Sequence, residues 1–217
     1  MNKEEIIQKT LEFVKEKHTG ESSGHDWWHI YRVWKNVQHI SKSENVDLFV
    51  VEMAALLHDI ADWKFYGGDE LAGARAAREW LVSLEVDSNI VDHVCDIIAT
   101  SSFKGAGVTG EMKTLEGKVL QDADWLDAIG AVGIARTFAY GGFKNRIIYD
   151  PNIKPEFHTS AKAYNTNVSP TINHFYEKLL LLKDRLNTET AKKIAEGRHV
   201  YMEEYLKQFF AEWEGEK

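Results

Sequence analysis

The sequence predicts an all-α protein, and three observations predict it. All three prolines (Pro151, Pro155 and Pro170) fall between positions 151 and 170, so the remainder of the 217 residues is free to run as helices. No stretch sustains the period-two alternation of a half-buried strand, and no Asn-Gly turn marks a hairpin. Apolar residues recur instead at helical spacing, beginning with Ile6, Ile7, Leu11 and Val14.

In chain order, that first apolar stripe predicts a helix over Lys3–Lys17, broken by Gly20–Gly24. Asp26 is placed to cap a second helix carrying Ile30, Val33, Trp34 and Val37. Asp47 caps a third, Leu48 to Ile60, which is apolar nearly all round and belongs at the centre of the core. A fourth runs from about Asp69 to Leu84, after Gly67-Gly68. Asp87 or Ser88 caps a fifth, ending near Thr100. Ser101–Thr114 holds Gly105, Gly107 and Gly110 and reads as a loop. A single sixth helix is expected from Leu115 to about Tyr140, its small residues Ala128, Gly130, Ala131, Gly133 and Ala135 forming a close helix–helix seam. Gly141 to Ser169 is irregular, and Thr171–Leu186 and Thr188–Glu214 read as two closing helices. With no linker or repeat in view, the expectation is one domain over 1–217, its core at about 20–140 and helices 171–214 packed on it.

Composition narrows the function. Hydrophobic residues make up 44%, enough for a core, and the net charge of −8 argues against duplex nucleic acid or an anionic membrane as partner. No run approaches a membrane span and the start of the chain has no signal-peptide core. The only cysteine, Cys95, cannot form an internal disulfide, which points to a reduced, cytoplasmic setting. Nothing assigns an oligomeric state.

Chemistry concentrates in three places. His58 and Asp59 follow ten mostly apolar residues, where an imidazole and a carboxylate are costly to bury unless they cap the helix end or hold a cation. His29 lies on the second helix, with Arg32 one turn on along the same face. Asp122, Asp124 and Asp127 stand amid Leu, Trp and Ile; Asp124 and Asp127 share a face, and Asp122 lies off it, where it is expected to be solvated. A di-iron bundle would need two Glu-x-x-His motifs; Glu196-Gly-Arg-His199 is the one present.

Taken in order, His29, His58-Asp59 and Asp124 resemble the H…HD…D signature of the HD-domain superfamily of metal-dependent phosphohydrolases. The surrounding words "GHDWWHIYRV", "ALLHDIADWK" and "LQDADWLDAIGAVG", with a C-terminal stretch from Asn173 to His199, look like one bacterial subfamily, so the resemblance covers most of the chain. It implies that His29, His58, Asp59 and Asp124 hold one divalent cation, and it selects the second acid of the Asp-x-Asp-x-x-Asp run. Two imidazoles and two carboxylates suit Mn²⁺ foremost, with Fe²⁺, Co²⁺, Ni²⁺, Zn²⁺ and Mg²⁺ also accommodated. His93 is the only histidine between the dipeptide and the last Asp, in keeping with a single ion. Similar enzymes place an acid near Asp62 to orient or deprotonate water, and Lys64, Arg32 and Lys178 are candidates for holding phosphate. His25 competes with His29 as ligand but faces about 40° away round the helix. Trp27, Trp28, Trp63, Phe65 and Tyr66 would suit stacking on a base. The implied activity is cleavage of a (deoxy)nucleoside triphosphate to monophosphate and pyrophosphate. Nucleotidase or phosphodiesterase chemistry is the alternative within the superfamily, and a metal- and nucleotide-binding sensor without turnover is the alternative outside it.

Overall fold

The computed structural model describes residues 1–19, 26–61, 69, 71–101, 112–156 and 169–217. These are helical, with no strand among the described residues, so the all-α expectation holds. They form two compact units that divide between Asp124 and Trp125.

The first unit holds α1 (Lys3–Lys17), α2 (Trp27–Ile40), α3 (Leu48–Leu57), α4 (Ala72–Ser83), α5 (Ser88–Ser101) and most of α6 (Leu115–Asp127). The caps predicted at Asp26 and Asp47 form: the Asp26 carboxylate accepts from the His29 amide at 3.0 Å, and Asp47 accepts from the Phe49 amide at 3.0 Å. Asn2 and Glu5, which the sequence reading did not name, close a capping box on α1. Helix α3 buries Phe49 through Leu57 without exception and packs against α1, α2 and α5, as a helix apolar on every side must. It ends at Leu57 rather than Ile60, although His58 keeps helical dihedrals.

The apolar run of α3 contains one carboxylate, Glu52, itself buried. Its Oε1 accepts from the Trp34 indole at 3.0 Å and the Gln38 amide at 2.8 Å, both on α2. Helix α2 also reaches α6, where the Asn36 side-chain amide donates to the Ala123 carbonyl at 3.1 Å. At the start of α6, Thr114 caps the Gly117 amide at 3.2 Å and meets His93 Nε2 at 3.1 Å.

The second unit holds the end of α6, α7 (Gly130–Phe143), α8 (Asn173–Glu177), two 3₁₀ turns (Leu179–Leu181 and Lys183–Arg185) and α9 (Glu189–Trp213). Here the sequence reading needs two corrections. The expected helix from Leu115 to Tyr140 is two helices, broken where Ile129 is extended and Gly130 takes φ +76°. Arg136 and Arg198 take up the carbonyls of Asp127 and Leu126 at the break, replacing the bonds a continuous helix would have made. The small-residue stretch is a seam only in part: Gly130 lies close against Arg198 of α9, whereas Ala131 and Ala135 are exposed and Gly133 abuts the Ala128 carbonyl across the break. The second correction is Thr171–Leu186, which is a five-residue helix followed by 3₁₀ turns. Ile172, Phe175, Leu179, Leu182 and Leu186 are its buried apolar residues, and their spacing of three or four serves a tight coil as well as an α-helix.

Candidate metal centre

Three helices of the first unit bring His29, His58, Asp59 and Asp124 together. Helix α2 carries His29 one turn past its Asp26 cap, α3 delivers His58 and Asp59 at its C-terminal end, and α6 presents Asp124. His29 Nε2 lies 3.5 Å from Asp59 Oδ2 and 3.5 Å from Asp124 Oδ1, and His58 Nε2 lies 3.5 Å from Asp59 Oδ2. The two imidazole rings meet edge to face at 5.4 Å between centroids. His29, His58 and Asp59 each offer a ligand atom within 4.8 Å of the others, the one such group among the described residues.

These separations fit a shared ion better than direct hydrogen bonds. At 3.5 Å an N–H···O contact is past the useful range. Two donor atoms each about 2.1 Å from a common centre are about 3.0 Å apart at a right angle and about 3.4 Å at the tetrahedral angle. The tautomer agrees. His58 Nδ1 lies 2.8 Å from the Ala55 carbonyl, which only a ring N–H can satisfy, so Nε2 carries the lone pair. That Nε2 is buried and makes no hydrogen bond among the described residues. The donor set therefore suits a divalent transition metal.

Burial orients the site. The His29 and His58 side chains are 1% and 6% exposed, those of Asp59 and Asp124 22% and 34%. The imidazoles form a floor and the carboxylates a rim open to solvent, which is the side from which a substrate can approach.

The other candidates distribute as follows. Arg32 is half-buried one turn along α2 from His29, and Lys178 ends α8 in the second unit. Asp62, Lys64, His25, Trp63, Phe65 and Tyr66 lie outside the described residues. Trp27 lines a groove of about 410 Å³ between α1 and α2 with Tyr31 and Trp34. It stands about 200° round the helix from His29, so it is turned away from the cluster. Asp122 corrects the sequence reading, being fully buried instead of solvated. Asp127 is also buried and pairs with Arg136 at 3.0 Å. Sequence reasoning passed over Asn36 and Glu52, which hold the three ligand-bearing helices together. The signal for Glu52 was visible as a lone acid within Leu48–Leu57; an Asn in mid-helix gives no comparable sign.

Comparison with known proteins adds the following. The family model described as HD domain matches residues 27–129. The uncharacterized protein YpgQ of Bacillus subtilis is 42% identical over 191 residues, covering 88% of this chain and 85% of that protein. A crystal structure of an HD-superfamily hydrolase from Bacillus thuringiensis shares 46% identity, covers 99% of this chain and all of that one, and superposes with a TM-score of 0.77. The crystal structure of B. subtilis YpgQ in complex with ADP shares 37% identity over 96% of this chain and 98% of that one, with a TM-score of 0.76.

Proposed function

Since the chain belongs to the HD-domain family, we propose that it is a Mn²⁺-dependent phosphohydrolase that cleaves a soluble (deoxy)nucleoside triphosphate to monophosphate and pyrophosphate. The observation that carries the hydrolase reading is the cluster of His29, His58 and Asp59 at ligand spacing, with Asp124 3.5 Å from His29 and the His58 lone pair aimed into the cluster. The ADP complex of the YpgQ relative supports a nucleotide substrate. The same proposal includes a chain folded as one domain and a cytoplasmic setting.

A divalent cation held by His29, His58, Asp59 and Asp124 would supply Lewis acidity and positive charge opposite the phosphate oxygens. The protein's own residues do the rest. Ala55 keeps the His58 proton on Nδ1, so that ring remains a ligand without rearranging. The carboxylate rim leaves the entry side polar. Asp62, three residues beyond Asp59, is assigned to orienting or deprotonating the attacking water, and Lys64, Arg32 and Lys178 to the phosphates. On this assignment Asp62→Asn retains metal and loses turnover by about 10²–10⁴-fold; loss of metal would make Asp62 a ligand instead.

The deciding experiment is metal analysis of the purified protein, followed by a nucleotide panel with phosphate and pyrophosphate measured separately. Pyrophosphate release from triphosphates with Mn²⁺ is expected. Phosphate release alone would make the protein a nucleotidase, and tight nucleotide binding without either product would make it a sensor.

A further inference from the structure

The cation site is assembled from three helices, and its geometry depends on how each is set along its neighbours. Helix α2 bonds to both of the others through side chains on its own turns. Toward α3, Trp34 and Gln38 converge on the buried Glu52 carboxylate. Glu52 lies on α3 seven residues before Asp59, which follows the end of that helix. Toward α6, Asn36 donates to the Ala123 carbonyl. Asn36 follows His29 by seven residues, on the same stripe of α2 two turns further, and Ala123 is the residue immediately before Asp124.

We propose that Asn36 is a positioning residue for the metal centre: its hydrogen bond to the Ala123 carbonyl sets the axial register of α6 against α2 and so brings the Asp124 carboxylate beside His29. This rests on the reading of His29, His58, Asp59 and Asp124 as the ligands. The geometry accounts for the choice of residue. Asn is a poor helix former, disfavoured relative to Ala within a helix. Its amide is nevertheless a directional donor of the right length to reach a carbonyl that already accepts within its own helix and keeps a second lone pair. Ala123 is buried and presents only a methyl, so packing there does little to resist sliding. A slide of α6 along its axis would lengthen or bend the 3.1 Å bond and carry Asp124 Oδ1 from its place 3.5 Å from His29. The Glu52 bonds hold α3 and do not restrain α6. Asn36 should therefore act on the metal through Asp124, and Gln38 should not.

A double-mutant cycle in metal affinity tests this, with Mn²⁺ dissociation constants measured by titration calorimetry for the wild type, Asn36→Leu, Asp124→Asn and the double variant. Asn36→Leu keeps the branched arrangement of side-chain atoms and removes the donor. Expected is an about 10-fold weakening of Mn²⁺ in the wild-type background, within the range for residues that support metal ligands, and less than twofold in the Asp124→Asn background. The visible absorption of bound Co²⁺ should change in Asn36→Leu. Gln38→Leu should give the same factor, whatever its size, in both backgrounds. Equal factors for Asn36→Leu in both backgrounds, or unchanged Mn²⁺ affinity, would overturn the proposal. If Asn36→Leu does not fold, Asn36→Ser runs the same cycle under the same criteria. A wild-type protein that binds no Mn²⁺, Co²⁺ or Zn²⁺ would overturn the site assignment itself, an outcome distinct from a wild type that binds metal with additive variants.

Discussion

At the residue scale, the same side-chain types take opposite roles according to burial. Asp124 is one-third exposed beside His29, whereas Asp122, two residues earlier, is fully enclosed. Asp124→Asn removes a negative charge from the ligand set and should sharply reduce metal stoichiometry in elemental analysis while leaving the metal-free melting temperature within a few degrees. Asp122→Asn should do the reverse, lowering the metal-free melting temperature, because a buried carboxylate whose bonds are altered costs about 1–3 kcal/mol. Retained metal in Asp124→Asn and lost metal in Asp122→Asn would shift the ligand assignment by two residues. A second contrast is His174 in the second unit. Crowding by surrounding atoms, then the charges of Lys178 and Arg146, pull its pKa from 6.5 to about 3. The folded protein therefore leaves this ring neutral where the unfolded chain protonates it. Its contribution is complete above about pH 6.5 and declines as pH falls towards 3, with a slope of at most about 1.4 kcal/mol per pH unit. Because His174 retains some exposed surface, the slope should fall below that limit. Denaturant titrations at pH 7 and pH 4.5 should show a smaller difference for His174→Gln than for the wild type, and an equal difference would remove His174 from the acid response.

At the element scale, the break between α6 and α7 is the feature with a single identifiable cause. Gly130 adopts φ +76°, and a Cβ there would meet Arg198 Cγ at 2.9 Å. Gly130→Ala should cost about 1–2 kcal/mol from the left-handed backbone alone, with more if Arg198 cannot move aside, and it should be read as a lowered denaturation midpoint at unchanged slope. Stability equal to wild type would show that the helix can continue through this position. The break was missed because Leu126, Ile134 and Phe138, eight and four residues apart, continue the apolar spacing past it, and periodicity reports which face is buried without reporting whether the axis is continuous. Helices α2 and α3 were legible because each begins at a side-chain cap, a local bond that needs no tertiary partner, and α1 because its apolar residues recur at helical spacing.

At the scale of the whole molecule, the proposal of one domain predicts that far-ultraviolet circular dichroism and tryptophan fluorescence report one coincident thermal transition, since Trp34 and Trp80 lie in the first unit and Trp125 and Trp213 in the second. Two resolved transitions would make the units separate domains. Metal should raise the transition temperature by linkage. At 100 times its dissociation constant, Mn²⁺ should add about 2.7 kcal/mol, or roughly 5–10 °C for a chain of this size. A chelator should reverse the shift, and Asp124→Asn should abolish most of it.

By itself the sequence determined the helical class, the capped starts of α2 and α3, the central place of Leu48–Leu57 and the order of His29, His58-Asp59 and Asp124, because caps, apolar periodicity and motif order are all encoded within short windows of chain. Only the tertiary structure decided that Asp59 lies 3.5 Å from both His29 and His58 and Asp124 3.5 Å from His29, that the Ala55 carbonyl selects the His58 tautomer, that Asp122 is inside and Asp124 at the rim, and that Asn36 and Glu52 join helices far apart in sequence. Each depends on the rotation and slide of one helix against another, quantities set by the packing of side chains from several segments at once, and no local pattern along the chain carries them.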